Sequence, residues 1–170
     1  SFTEHVITTN ADQARSVFAI DVDGDGDIDI LVASNRDDTI AWWENNGSES
    51  FTEHVISSSS DQPRKVFAID IDGDGDIDIL SAYFADDTIA WWENNGSESF
   101  TEHVITSSAN GAIDVFAIDL DGDGDIDVLS AAFNDDTFSW WENNGSESFT
   151  EHVIVNNDLG AAIIYSADIN

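Results

Sequence analysis

The sequence contains no cysteine and no methionine, and only 4 of its 170 residues are Lys or Arg. The lack of cysteine excludes disulfides, zinc–thiolate sites and thiol catalysis, although it does not by itself identify a cellular compartment. No apolar run approaches the ~20 residues that span a bilayer, and no basic-then-apolar signal segment precedes the domain. We therefore expect no membrane insertion.

The few basic residues stand against 36 acidic ones, which gives a formal net charge of −32. So negative a surface repels phosphate backbones and anionic lipid, and this predicts that the protein binds neither nucleic acid nor membrane surfaces. The hydrophobic content of 41% and the six tryptophans indicate a packed core, whereas disordered chains of high charge lack such residues. The length suits one ordinary domain.

An internal repeat organises the chain. The heptapeptide SFTEHVI begins at Ser1, Ser50, Ser99 and Ser148, a constant step of 49 residues. This predicts a single repeat domain over 1–170, made of units 1–49, 50–98, 99–147 and a partial unit 148–170. Because the chain starts without Met and stops within a unit, we expect a processed product or a segment of a longer array.

Each unit is predicted to form four short strands and no helix. In the first unit these are Ser16–Asp21, Asp27–Ala33, Thr39–Glu44 and Phe51–Ile56, all rich in β-forming residues. An Asn-Gly turn joins the last two strands, and no stretch has a sustained helical period. Four strands in each 40–50-residue repeat are typical of a propeller blade. The predicted fold is therefore all-β, a β-propeller-like array of about three and a half four-stranded antiparallel blades.

The paired tryptophans are consistent with this arrangement. Neighbouring residues of a strand point to opposite faces, so Trp42 and Trp43 cannot share one core. Stacked blades cover both faces of a sheet, and we expect both rings of each pair to be buried between blades. An aromatic platform for sugars is the alternative interpretation. The same argument holds for the pairs Trp91–Trp92 and Trp140–Trp141.

Acidic loops carry the chemistry of the sequence. Carboxylates crowded into nine residues repel one another unless a hard cation lies among them, and calcium takes 6–8 oxygen ligands. Loop positions 1, 3 and 5 would supply side-chain oxygens, position 7 its backbone carbonyl, and position 9 would close the shell, with Gly at position 6 for the turn. The predicted ligands are Asp21, Asp23, Asp25, Asp27 and Asp29; Asp70, Asp72, Asp74, Asp76 and Asp78; and Asp119, Asp121, Asp123, Asp125 and Asp127.

Other interpretations of these loops are weaker. A solvated acidic turn would not require the same ligand spacing three times. An EF-hand needs Glu at position 12 and flanking helices, whereas Val32, Ser81 and Ser130 stand there between strands. The last unit keeps Asp168 but has Asn170 at position 3, so it offers at most part of a site. Magnesium retains most of its water, which favours calcium, and we predict about three Ca²⁺ sites.

The segment VFAIDVDGDGDIDILVAS, residues 17–34, resembles the FG-GAP/VCBS repeats of integrin α chains, fungal lectins and many bacterial secreted and surface proteins. The resemblance covers essentially the whole chain. It implies a propeller, most often seven-bladed, with calcium in the loop between the first two strands of several blades. The Phe-Gly and Gly-Ala-Pro signatures are missing, which places the chain closer to the VCBS branch. Integrin-like ligand recognition is therefore not carried over.

The complete units differ mainly in two connections. These lie before the first strand and between the second and third strands, and both should emerge at the end of the blade opposite the acidic loops. Such variation is expected of ligand-binding loops, and equally of loops that bear no structural load. If a sugar binds there, the aromatic contacts would be Tyr83, Phe84 and Phe133.

Two smaller features recur once per unit. No second histidine or acid is in register with His5, His54, His103 and His152, which favours packing or surface residues over metal ligands. The tripeptides that begin at Asn46, Asn95 and Asn144 read Asn-Gly-Ser, so these are possible N-glycosylation acceptors as well as hairpin turns.

No motif places a nucleophile beside a base, so we predict that the protein is not an enzyme. The favoured function is a calcium-stabilised binding or adhesion module, extracellular or on the cell surface, with a glycan or protein ligand. The alternative is a structural repeat protein that assembles into a filament or surface array. Three and a half units cannot close a propeller of the usual size, so self-association or a longer repeat chain is expected.

Overall fold

The computed structural model describes residues 2–157 and 160–167. The described residues form twelve strands, and none of them forms a helix long and apolar enough to cross a membrane. Sheet 1 contains β1 to β4, sheet 2 contains β5 to β8 and sheet 3 contains β9 to β12, each in sequence order. The strands are β1 Ala14–Ile20, β2 Asp29–Ser34, β3 Thr39–Asn45, β4 Phe51–Ser57, β5 Pro63–Ile69, β6 Asp78–Tyr83, β7 Thr88–Asn94, β8 Phe100–Thr106, β9 Ala112–Ile118, β10 Asp127–Ala132, β11 Thr137–Asn143 and β12 Phe149–Asn156.

All neighbouring strands within a sheet are antiparallel, as adjacent hairpins require. The predicted strands are confirmed to within two residues at each end. The SFTEHVI strands β4, β8 and β12 each pair with the third strand of the preceding unit, across the Asn-Gly turn. Each sheet therefore crosses a boundary between the 49-residue units.

The predicted half blade is not a sheet in the described structure. The first SFTEHVI copy, residues 2–7, forms no strand, although its three later copies do. Residues 161–167 match β9 one repeat later and also form no strand. A strand needs a neighbouring strand to satisfy its backbone groups, and no described strand pairs with either segment. The described chain thus contains three complete four-stranded sheets.

The core lies between the sheets, which pack face to face. One cluster joins Trp42 of sheet 1 to Trp92 of sheet 2, and a second joins Trp91 of sheet 2 to Trp141 of sheet 3. Within each pair the first ring faces the following sheet and the second faces the preceding one. This confirms the expected burial of both rings wherever a sheet has two neighbours. Trp140, on the outer side of sheet 3, is only half-buried.

The first strands of the three sheets lie side by side. Their aromatic residues form a continuous series, with ring centroids 5.0 Å apart for Phe18–Phe67 and for Phe67–Phe116. Tyr165 continues the series at 5.5 Å from Phe116. Because Tyr165 is one repeat beyond Phe116, residues 160–167 occupy the place that the first strand of a further sheet would take.

The connections gather at two opposite ends of the sheets. At one end the acidic loop meets the Asn-Gly turn, where the Asn45 side chain donates to the Ile28 carbonyl at 3.1 Å. At the other end the two variable connections meet, since the Asn35 N–H donates to the Gln13 carbonyl at 3.2 Å. This arrangement confirms that the acidic loops and the variable loops lie at opposite ends.

Candidate metal centres

Each acidic loop brings three carboxylates into one cluster. In each cluster, one oxygen from every member lies within 4.8 Å of the others. The members are loop positions 1, 3 and 9: Asp21, Asp23 and Asp29; Asp70, Asp72 and Asp78; and Asp119, Asp121 and Asp127. Three of the five predicted ligand positions are therefore drawn together in every loop.

The aspartate at position 1 organises the turn. Asp21 accepts the N–H of Gly24 at 2.8 Å through Oδ1 and that of Gly26 at 2.9 Å through Oδ2. Both glycines have positive φ, 77° and 97°, a conformation that side chains other than glycine rarely adopt. The space around both is open, so the backbone conformation is what requires glycine here.

The aspartate at position 9 is the buried anchor of the loop. Asp78 is 0% exposed, and its two oxygens accept the N–H groups of Ile71 and Asn94, each at 2.8 Å. Asp29 and Asp127 make the same pair of bonds in their own loops. This carboxylate therefore ties the acidic loop to the Asn-Gly turn. Further lone pairs on both oxygens remain for a cation.

Positions 5 and 7 lie outside the triads. The Asp25 side chain accepts the N–H of Asp27 at 2.8 Å and so helps to shape the turn. The Asp27 side chain lies against Gly47, where an added Cβ would collide with its carboxylate. This close approach explains the glycine of the Asn-Gly-Ser turn. It also agrees with a role for position 7 through its backbone rather than its side chain.

The buried carboxylates lie in an environment that disfavours their charge. Removal from water raises the pKa of Asp78 to about 7, and the negative charge of Asp72 acts in the same direction. Burial likewise raises the pKa values of Asp29 and Asp23. Among the described residues, no Lys or Arg forms an ion pair with a triad carboxylate. A bound cation would supply the missing charge compensation, and the all-oxygen donors suit a hard divalent ion.

The three candidate aromatic contacts at the opposite end differ in exposure. Tyr83 is 2% exposed, and its hydroxyl accepts the Trp92 indole N–H at 2.8 Å. It is a core residue and does not offer a surface to a ligand. Phe84 is half-buried beneath the Arg64 guanidinium, which lies 4.3 Å from the ring centroid. Phe133 is 43% exposed.

Three of the four recurring histidines pack on tryptophans and pair with glutamates, and the first, His5, is exposed. His54 stacks on Trp42 with ring centroids 4.5 Å apart, and its Nε2 donates to Glu44 at 2.8 Å. The same trio recurs at His103 and His152. The packing role is confirmed, whereas the expectation that no acid lies in register is wrong. The glutamate is on the neighbouring strand, and only the pairing register brings it to the histidine.

The possible glycosylation sites lie on exposed turns. The Asn46 side chain accepts the Ser48 N–H at 3.0 Å, and its backbone N–H donates to Ser50. Asn95 and Asn144 repeat these bonds. Modification of these residues stays a prediction. Asp168 and Asn170 of the partial loop lie outside the described residues.

The fold and these clusters define a class: all-β repeat proteins with one aspartate-rich loop in every repeat. The chain belongs to the FG-GAP-like repeat family, whose model matches residues 21–81, 70–130 and 119–170. Each matched stretch begins at the first aspartate of an acidic loop. A comparison with curated proteins gives no match.

Proposed function

We propose that the protein is a calcium-stabilised, non-catalytic binding or adhesion module of β-propeller type that acts outside the cell. The observation that carries this proposal is the threefold carboxylate triad, which has the same spacing and the same hydrogen bonds in each loop. A motif that recurs unchanged at equivalent places in three sheets has a role in each of them.

Calcium is the cation that this donor set fits best. Calcium accepts 6–8 oxygen ligands in flexible geometry, whereas magnesium demands a nearly ideal octahedron and keeps several waters. The loops offer carboxylates and backbone carbonyls on a short, glycine-rich turn. Residues at positions 1, 3 and 9 would hold the ion, and the ion would neutralise carboxylates that otherwise repel one another.

The propeller arrangement rests on how the sheets follow one another. Successive sheets pack face to face, and their first strands lie side by side through Phe18, Phe67 and Phe116. In the proposed propeller, each repetition of this step turns the new sheet about a central axis that the first strands surround.

We propose an extracellular location because the three sites would need abundant calcium. Calcium sites of extracellular modules bind at roughly 10⁻⁴–10⁻³ M, which is too weak for cytosolic calcium to fill. A fold that depends on such sites is stable only where calcium is abundant. Bound calcium would also offset part of the net charge of −32.

Calcium is expected to stabilise the fold strongly. A ligand at 100 times its Kd adds about 2.7 kcal/mol per site to the free energy of unfolding. Thermal unfolding followed by circular dichroism should therefore give a much higher Tm in 10 mM CaCl₂ than in chelator. Isothermal titration calorimetry should detect about three sites.

Two controls separate site binding from charge screening. Sodium chloride of matched ionic strength screens the acidic surface but does not fill the triads, and MgCl₂ tests ion selectivity. The proposal predicts a smaller Tm increase with either salt than with calcium. Equal Tm values in calcium and in chelator, with no calorimetric signal, would contradict it.

The ligand is proposed to bind at the variable end, opposite the acidic loops. There Phe133 is the exposed aromatic residue of the three candidates, and Phe84 is half-buried with the Arg64 guanidinium over its ring. Exposed aromatic rings suit the apolar faces of sugars and the anchors of protein interfaces. Because these loops vary between units, they can change without disturbing the carboxylate triads.

Phe133→Ala is expected to weaken this binding at least tenfold, since an aromatic anchor contributes more than ~1.4 kcal/mol to binding. A glycan array and binding to immobilised cell-surface proteins would provide the measurement, with calcium present. Phe2→Ala is the matched control, because Phe2 is fully exposed but lies outside the variable loops. The same affinity for both variants would contradict the assignment. So would the absence of binding both to the glycan array and to the immobilised proteins.

A further inference from the structure

The outer faces of sheets 1 and 3 are apolar, and within the part of the chain that the structure describes they lack the neighbouring sheet that covers the equivalent faces of the other sheets. We define the front face as the side of sheet 1 turned away from sheet 2, and the back face as the side of sheet 3 turned away from sheet 2. The front face carries Val17, Ala19, Ile30, Ala41 and Trp43. The back face carries Leu120, Leu129, Phe138, Trp140 and Val155.

Exposure at equivalent positions shows what the front face is missing. Val17 is 67% exposed, whereas Val66 and Val115, one and two repeats later, are both 0% exposed. Each of the two later valines is covered by the preceding sheet. The front face therefore has the composition of a buried surface without its cover.

The back face shows the same contrast at the other end. Val155 is 41% exposed, whereas Ser57 and Thr106, its equivalents in sheets 1 and 2, are 6% and 8% exposed. Trp140 is half-buried, although Trp42 and Trp91 are each 1% exposed. Val155 is apolar, whereas the equivalent Ser57 and Thr106 are polar. At this position the back face is therefore more hydrophobic than the equivalent faces of sheets 1 and 2, which are covered within the chain.

The terminal segments cover these faces only in part. Residues 4–8 border a groove of about 470 Å³ on the front face, and residues 163–167 border one of about 460 Å³ on the back face. Ile163 and Tyr165 are 78% and 73% exposed and belong to no strand. Ala161 is buried, and the described backbone N–H groups of residues 160–167 make two hydrogen bonds, from Gly160 and Ile164, which a second copy has to replace.

We propose that the back face of one chain binds the front face of a second copy, by the same packing that joins successive sheets within a chain. Within the chain, the back side of sheet 1 already packs on the front side of sheet 2, and sheet 2 packs likewise on sheet 3. The two free faces are therefore the two halves of an interface that the chain forms twice internally. This goes beyond the proposed binding function and does not depend on the ligand.

The second copy would replace residues 160–167 at specific contacts. Three repeats separate Val17 from Ile164 and Phe18 from Tyr165. The Ile164 N–H donates to Asp114 Oδ2 at 2.8 Å, and the Val17 N–H of the second copy would take over this bond. Phe18 of the second copy would replace Tyr165 against Phe116. The second copy would thus restore both the hydrogen bond and the aromatic packing that the displaced segment gives up.

Because the two faces differ, this association is head-to-tail. Such an interface leaves a free front face and a free back face after each addition, so it generates either a ring, of two copies at the fewest, or an open array. The charge of −32 on each copy opposes it, and calcium together with salt should favour it.

The test uses the full chain in 10 mM CaCl₂ and ~0.15 M NaCl, where the Debye screening length is about 8 Å. Sedimentation velocity should show a wild-type mass that rises with concentration to at least twice that of one chain. Val17→Asp removes the front face and Val155→Asp removes the back face, and each variant alone should stay at 18.5 kDa. In an equimolar mixture, the intact back face of Val17→Asp can bind the intact front face of Val155→Asp. The mass should therefore reach twice that of one chain and rise no further.

Val153→Asp is the matched control, because Val153 lies on the same strand as Val155, is 53% exposed and belongs to neither face. It should associate like the wild type. A second measurement needs no variant: in hydrogen exchange, raising the wild-type concentration should protect β1 and expose residues 161–167. A wild type that stays monomeric, a mixture no heavier than its components, or exchange that is independent of concentration would overturn the proposal.

Discussion

Trp91→Ala is expected to lower the free energy of unfolding by about 3–5 kcal/mol, the range for a large aromatic side chain lost from a core. Trp91 is 1% exposed and packs between sheets 2 and 3 with Leu80, Ile89 and Val115. Few neighbouring side chains can move into the space, because β6 and β7, which carry Leu80 and Ile89, are each hydrogen-bonded to strands on both sides. Urea denaturation at saturating calcium would measure the loss.

Trp140→Ala is the matched control for this substitution. Trp140 occupies the equivalent position in sheet 3 and stacks on His152 with the same 4.7 Å separation as the Trp91–His103 pair. It lacks a neighbouring sheet and is only half-buried. Its replacement should therefore cost clearly less. Equal losses would show that the histidine stack, and not packing between sheets, accounts for the stability at Trp91.

Asp78→Ala is expected to destabilise the second acidic loop in two separable ways. Two buried N–H groups, of Ile71 and Asn94, lose their acceptors, at about 1–3 kcal/mol each. The triad also loses its buried member, so calcium should no longer stabilise that loop. The loss of the two hydrogen bonds should lower the free energy of unfolding already in chelator. The loss of calcium binding should lower it only in calcium, so urea denaturation under both conditions would separate the two effects.

Asp74→Asn provides the comparison for Asp78. Asp74 lies in the same loop, is exposed and is not a triad member, and an asparagine oxygen can still accept the Asp76 N–H. Its effect in chelator should be within ~0.5 kcal/mol, as for ordinary surface substitutions. A loss as large as that of Asp78→Ala would mean that loop charge, and not the buried anchor, controls stability.

The strands and the acidic loops could be predicted because their signals are local. Alternating β-forming residues, an Asn-Gly turn and a fixed aspartate spacing act within about ten residues, and the repeat presents each signal three times. Loop positions 1, 3 and 9 meet as expected in all three loops. The FG-GAP-like resemblance also holds for most of the chain.

Other features could not be predicted because they depend on contacts between distant segments. Tyr83 looked like a variable-loop residue, yet it reaches the core and bonds to Trp92. Glu44 and His54 are ten residues apart and meet only through the register of β3 and β4. Asp27 lies against Gly47 because the acidic loop folds onto the next turn.

By itself the sequence determined the strands and the carboxylate spacing through its repeat, and its lack of cysteine excluded thiol chemistry, whereas its scarcity of basic residues only predicts that nucleic acid and membrane surfaces are not partners. Local backbone preferences and side-chain spacing are written directly in the order of residues. Only the tertiary structure decided which faces are covered: identical valines are buried at 66 and exposed at 17. Burial depends on what packs against a sheet, and a sequence repeated three times gives its first and last copies different neighbours from the middle one.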